Sequence, residues 1–304
     1  AWLKRHHTSA FYCGLLNSLP MGFYSPSQIL QDARRHGIET RPPDARHSHW
    51  DHTLEEPQRQ KLGVQPALRL GLRQIKGFNQ QAADRLVAAR AERPFASVRD
   101  LCQRAGLNHR EREALVAGNA LRGLSGHRHQ AHWDVQGLEA RRPLLGGDGD
   151  AVRDDHDGVY LDAPSEHTSL IEDYRHLGLT LGRHPMALVR HLPRFKRCYR
   201  AKELKRARPN QLVRVAGLVT NRQRPGSAKG TLFMTLEDET GNTNVVVWTS
   251  VQERFRQTLL KSPLVIVTGT VEISPEGIVH LMAGRLQDAR DALDELQVRS
   301  RDFK

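Results

Sequence analysis

Five consecutive residues, Ile75-Lys76-Gly77-Phe78-Asn79, combine the types that hold a phosphate group: a glycine free to take positive φ, a helix N-cap, and the cations Lys76 and, just upstream, Arg73. Asn79 opens an expected helix from Gln80 to Glu92, in which Ala83, Leu86, Val87 and Arg90 fall at helical spacing and leave one short apolar face. Asn79 is also the non-glycine residue best able to tolerate hairpin geometry. The first N–H groups of such a helix have no partner inside it, so with cations beside them they offer an anion site. A second set follows. Ser97 caps Val98 to Ala105 with Asp100 three residues on, Gly106 stops that helix, and Asn108 with Glu111 starts another from His109 to Ala117. This one ends at Gly118-Asn119, ahead of Ala120-Leu121-Arg122. Leu68 to Gly126 therefore reads as two consecutive helix–hairpin–helix units. Such units grip the sugar-phosphate backbone of a duplex without reading bases. The candidate contacts are Arg73, Lys76, Gly77, Asn79, Gly118, Asn119 and Arg122. An ordinary core of capped short helices is the competing reading of the same residues.

A different chemistry begins at Gln211, where the apolar period changes to two. Strands are expected at Leu212–Val219, Thr231–Leu236, Asn244–Trp248, Leu264–Ile273 and Ile278–Ala283, with a turn at Asp238–Gly241 and a helix from Val251 to Leu260 after the third strand. Five strands with a helix between the third and fourth is the order of an OB-fold, whose open sheet face and loops bind single-stranded nucleic acid. The first loop, Asn221 to Gly230, carries Arg222, Arg224 and Lys229. With Arg214 on the first strand these are the candidate backbone contacts. Phe233 and Trp248 are candidates for stacking on bases, and a place in the core is the equal alternative for each.

The totals agree with a polyanionic partner. The chain has 304 residues and a net charge of +12, with a pI near 10.1. Residues 61–140 hold 13 Lys+Arg against 7 Asp+Glu, residues 191–304 hold 20 against 12, and residues 141–190 reverse the balance with 6 against 9. Two basic regions joined by an acidic one suggest two contacts on a polyanion. No helix pairs a basic face with a bulky apolar one, and no apolar run reaches the roughly 18 residues of a membrane span. The isolated Cys13, Cys102 and Cys198 fit a reducing cytoplasm and form no zinc or disulfide framework. The first residues resemble a signal peptide only superficially, given Asn17, Pro20 and no initiating Met, and the chain reads as part of a longer one.

Elsewhere, a helix is expected from Trp2 to Leu16, and Ser25, Pro26 and Gln28 announce another ended by Gly37. Residues 38–66 read as irregular because of Pro42, Pro43, Pro57 and Pro66. The His47, His49, His52, Asp44 and Asp51 cluster there reads as loop histidines rather than a metal site. Gly146 to Gly158 is a linker by composition, and Val152 stands where a calcium loop needs Asp or Asn. Short helices are expected at Leu170–Leu177 and Pro185–His191, and the basic run Arg194 to Arg208 suits either a solvated face or a phosphate contact. No phosphate-binding loop, nucleophile elbow or paired aspartates on a strand appear, so the sequence reads as a binder rather than a catalyst.

The segments AFYCGLLNSLPMGFYSP (10–26), DARRHG with RPPD (32–44), LRLGLRQIKG (68–77) and Gly217 to Trp248, which includes RQRPGSAKGTLFMTLEDETG, resemble the C-terminal part of bacterial C-family DNA polymerases, the DNA polymerase III alpha subunit family, in its error-prone branch. The resemblance implies an α+β multidomain chain. Residues 1–66 would be the end of the fingers and 67–126 the tandem helix–hairpin–helix domain. An acidic, glycine-rich linker would follow at 127–169, a basic helical connector at 170–209, the five-stranded OB-fold β-barrel at 210–290, and a tail at 291–304. It further implies that the palm with its catalytic aspartates and Mg²⁺ lies upstream, so that this chain alone has no catalytic or metal residues and does not extend a primer. Duplex DNA would lie on the hairpins and single strand on the OB-fold, with accessory translesion proteins as partners. Two departures stand out. Arg141-Arg142-Pro143-Leu144-Leu145 lacks the glutamine of the clamp-binding peptide, which argues against direct sliding-clamp binding. Asn79 replaces the glycine commonest at the second hairpin position. Outside the resemblance, a non-catalytic repair or recombination module and an RNA-binding synthetase appendage stay open.

Overall fold

The computed structural model describes residues 2–21, 25–58, 65–138, 160–226 and 230–293, which divide into one unit over 1–181 and another over 182–304. The first opens with α1 (Trp2–His6), α2 (Thr8–Asn17) and α3 (Pro26–Arg35). The single helix expected from Trp2 to Leu16 is thus broken at His7, where φ −130 and ψ 57 leave the helical region. In α3 the caps work as their types require: Ser25 accepts from Gln28 N, and the Gln28 side chain accepts from Ser25 N. Ile29, Leu30 and Ala33 of α3 and Tyr12 and Leu16 of α2 are buried in a core that continues into the hairpin helices.

Residues 38–66 are more regular than their prolines suggest. β1 (Thr40–Arg41) and β2 (Thr53–Glu55) flank β3 (Ala67–Arg69), β1 running parallel to it and β2 antiparallel. Strands of two and three residues are too short for a period-two signal, and they form because β3 supplies the partner from outside the segment. Glu55 joins all three, accepting from Arg69 Nε at 2.8 Å and Arg41 Nη1 at 2.6 Å. Nearby His52 is 4% exposed and its Nδ1 accepts from Gly71 N at 3.0 Å. Burial, with the charge of Arg73 next, lowers its pKa from 6.5 to about 4. The folded pKa lies below the unfolded one, so the unfolded chain binds more protons between these values. Stability is therefore full above pH 6.5 and falls as pH drops toward 4. The loss amounts to about 3 kcal/mol. Urea titrations at pH 7 and pH 4.5 should show it in the parent and show it reduced in His52→Gln.

The hairpin region comprises α4 (Gln80–Glu92), α5 (Val98–Arg104), α6 (His109–Ala117), α7 (Arg122–Ser125) and α8 (Arg128–Gln136), with α9 (Glu166–His176) after it. The expected linker at 127–169 needs correction at both ends. Ala131 and Val135 of α8 belong to the core, and Arg128 pairs with Asp173 of α9 at 2.7 Å. The polar composition of α8 hid it, since few of its side chains are buried. The middle of that linker, 139–159, including the glycine-rich run and the Arg141 to Leu145 peptide, lies outside the described residues, as does the tail from 294.

In the second unit, α10 (Pro185–Val189), a turn at Pro193–Phe195 and α11 (Ala201–Leu204) precede β4 (Leu212–Gln223), β5 (Leu232–Asp238), β6 (Gly241–Val247), α12 (Thr249–Arg254), α13 (Arg256–Lys261), β7 (Leu264–Ile273) and β8 (Val279–Asp288). The strands close a barrel in the order β4-β5-β6-β8-β7, with β6 and β8 parallel. Alternation puts Val213, Val215, Met234, Val245, Val267 and Leu281 inside. Phe255 breaks the single helix expected after β6 in two, at φ −118 and ψ 29, and with Leu259 packs against the interior. The connector expected at 170–209 is divided: its first residues belong to the hairpin unit, while Met186, Val189, Phe195 and Cys198 cover the outer face of β4 and β7 at Ala216, Leu264 and Ile266. No described helix is long and apolar enough to cross a membrane.

Candidate nucleic-acid interface

The first hairpin runs from a short turn at Leu72–Gln74 into α4. Gly77 takes φ +82 and a Cβ there would meet no heavy atom within 4 Å, so glycine is required by backbone conformation alone. Asn79 is extended, φ −111, and caps α4 by accepting from Ala82 N at 2.8 Å. Its amide donates to Glu111 Oε1 at 3.1 Å, while Arg85 holds the other Glu111 oxygen at 2.9 Å. Burial pushes the Glu111 carboxyl up, but the backbone N–H of Asn108, the Asn79 amide and Arg85 together outweigh it and keep Glu111 below the usual carboxylate range. The N–H groups of Gly77, Asn79, Gln80 and Gln81 have no protein acceptor among the described residues, and they gather at the N-terminus of a 13-residue helix. Such a terminus favours an anion.

The second hairpin solves the same turn differently. Asn119, at φ +54, takes the left-handed position, while Gly118 is needed for space, because a Cβ there would lie 2.8 Å from Ile75 Cγ1. The two hairpins are thus packed tip against tip. Arg122 follows at the start of α7, exposed and with no side-chain partner among the described residues. The other candidates are committed elsewhere. Arg73 donates to Asn17 O and Leu19 O and pairs with Asp51 at 2.7 Å, tying the end of α2 to the hairpin. Lys76 donates through its N to His176 O and through Nζ to Arg175 O at 2.8 Å, so it anchors the end of α9.

On the barrel, Phe233 is 38% and Trp248 52% exposed, which removes both from the core. Phe233 sits on β5 opposite Val246 and Gln223. By alternation the same outer face carries Thr235, Asn244, Val246, His280 and Met282. Asn244, His280 and Met282 went unnoticed in the sequence, though the period-two reading of these strands contained them. The cations are distributed less simply. β4 continues to Gln223, so the first loop starts at Arg224 rather than Asn221. Arg222 pairs in register with inward-facing Met234, and its Nη2 donates to Ser262 O at 2.7 Å. It closes the barrel mouth, and burial lowers its pKa. Arg224 stands in the loop, donating to Gly230 O at 3.2 Å. Arg214 is half-buried toward the far end of β4, opposite Thr268. Lys229 lies outside the described residues.

A pair of helical hairpins, the first with free N–H groups at the start of α4, followed by a closed barrel with exposed aromatics, is the architecture of a nucleic-acid-binding chain. Family models agree: a helix-hairpin-helix motif matches residues 37–131 and an OB-fold nucleic acid binding domain matches residues 213–289. Error-prone DNA polymerases of Alkalilimnicola ehrlichii and Pseudomonas syringae pv. tomato are each 51% identical over 303 residues, 100% of this chain and 29% of their own length. That of Methylococcus capsulatus is 47% identical over 318 residues, 100% of this chain and 30% of its own. The chain is a homologue of this part of the error-prone DNA polymerases, and it spans about 29% of the length of the curated relatives it matches.

Proposed function

We propose that this chain is the C-terminal, DNA-holding portion of an error-prone DNA-directed DNA polymerase, with duplex product on the hairpins and single-stranded template on the barrel. The observation that carries the reading is the separation of two chemistries along one homologous chain: free backbone N–H groups at the α4 N-terminus, and two exposed aromatics, Phe233 on β5 and Trp248 just past the end of β6. The first suits phosphates whatever the sequence. The second suits unpaired bases, whose π-faces a duplex hides. Within the candidate set, Gly77, Asn79, Asn119 and Arg122 serve the duplex and Arg224, Lys229, Phe233 and Trp248 the single strand. Arg73, Lys76, Gly118 and Arg222 position these elements.

In this reading the parent performs damage-tolerant synthesis in the cytoplasm alongside accessory translesion proteins, and its Mg²⁺ belongs to the palm outside this chain. The carboxylates near the hairpins do not suit that ion, because Asp44, Asp51 and Glu55 are each paired with arginine. Purified residues 1–304 should bind a primer-template junction in an electrophoretic shift and leave the primer unextended. Failure to bind the junction would overturn the proposal, and extension that survives removal of contaminating polymerase would overturn its division of labour.

A further inference from the structure

We infer that Arg46, in the loop ahead of the hairpin helices, joins Arg122 to form a seat for one phosphodiester of the DNA backbone; this rests on the reading of the hairpins as a duplex grip. A cavity of about 280 Å³ beside the second hairpin is lined by Pro42, Pro43, Asp44 and Arg46 on one side and by Arg122 and Gly123 on the other. The loop is fixed at several points. Ala45 N donates to Ala120 O at 2.9 Å. Arg90 Nη1 donates to Ala45 O at 3.0 Å and to Ser48 O at 2.9 Å. Ser48, itself fully buried, donates from Oγ to Leu70 O at 2.7 Å and accepts from Asp44 N at 3.0 Å. Between these anchors the Arg46 side chain is directed across α7, so close to Gly123 that a Cβ there would lie 2.0 Å from Nη2.

The charges leave an anion unsupplied. Asp44 binds Arg46 through Nε and Nη2 at 3.3 and 3.2 Å, while Nη1 of Arg46 and the whole Arg122 guanidinium have no partner among the described residues. Two cations against one carboxylate leave a net positive wall. Guanidinium groups suit phosphate oxygens through their planar array of donors, and exposed Pro42 gives an apolar surface against which a deoxyribose can lie. The sequence offered no sign of this, because Asp44-Ala45-Arg46 lies some 75 residues from the hairpin it completes.

The test uses the full chain with Arg46→Gln, Arg122→Gln, Gly123→Val and the Arg46→Gln/Gly123→Val double variant, measured by fluorescence anisotropy on a duplex and a single strand across a KCl series. Because both guanidiniums meet the same phosphate, Arg46→Gln and Arg122→Gln are each expected to lower the duplex salt slope by part of the roughly one unit that a single phosphate carries, with single-strand binding unchanged. Gly123→Val should weaken duplex binding by displacing Arg46, and should add nothing once Arg46 is gone. An unchanged slope in Arg46→Gln, while Arg122→Gln lowers it, would overturn the seat and leave the hairpin reading intact. A parent chain with no duplex affinity would overturn both.

Discussion

Gly71→Ala is expected to unfold the hairpin unit under conditions in which the parent is stable. An added Cβ would lie 2.3 Å from Trp50 O, 2.4 Å from Asp51 C and 2.6 Å from Asp51 O. All three are backbone atoms, so no side-chain rotation relieves the overlap. The two strands of chain are also pinned together, by Gly71 N on His52 Nδ1, Leu72 N on His49 O and Arg73 N on Trp50 O. Separating them breaks these bonds and moves Leu70 and Leu72, both fully buried. The cost is on the order of 3 kcal/mol or more, the range of overpacking without room to relax. Calorimetry should show the transition of the first unit lowered or lost, with the barrel's transition unmoved. Parent-like stability would mean that the approach of residues 49–52 to the hairpin is not as described.

The double variant Phe233→Ala/Trp248→Ala should lose most single-strand affinity while keeping its fold. Both rings are substantially exposed, so their removal opens no cavity. Base–aromatic stacking contributes roughly 1–3 kcal/mol per base, so the pair together amounts to about a thirtyfold loss or far more. No charge is removed, and the salt slope should therefore stay constant while the affinity drops. That combination separates stacking from a phosphate contact. Single-strand binding within a few-fold of the parent would place the strand away from the β5–β6 face.

The sequence disclosed most where one residue type decides local structure. Ser25, Ser97 and Asn108 cap α3, α5 and α6 as their spacing to Gln28, Asp100 and Glu111 requires, and the barrel order followed from alternation in long strands. It disclosed less where distant chain decides. β1 and β2 exist only because β3 pairs with them. Arg222 turned out inward because the register shifts between Val219 and Asn221. A bulge reverses the face of every residue after it, so a cation that strict alternation sends outward closes the barrel mouth. Arg73 and Lys76 looked free because their acceptors, Asn17, Leu19, Arg175 and His176, lie far along the chain.

The claim that duplex and single strand occupy different sites is tested most directly by crossing Gly77→Val and Phe233→Ala/Trp248→Ala against both DNAs in one anisotropy series. At Gly77 a Cβ would have space, but φ +82 is not a backbone conformation that valine is permitted, so the hairpin backbone that carries the N–H groups of Gly77 and Asn79 must change. Duplex affinity should then fall at least about tenfold, the effect of losing one or two charge-assisted hydrogen bonds, with single-strand affinity preserved. The aromatic variant should show the converse. If both variants remain folded and each loses both DNAs to the same extent, the two sites are one continuous groove and the division proposed here is wrong.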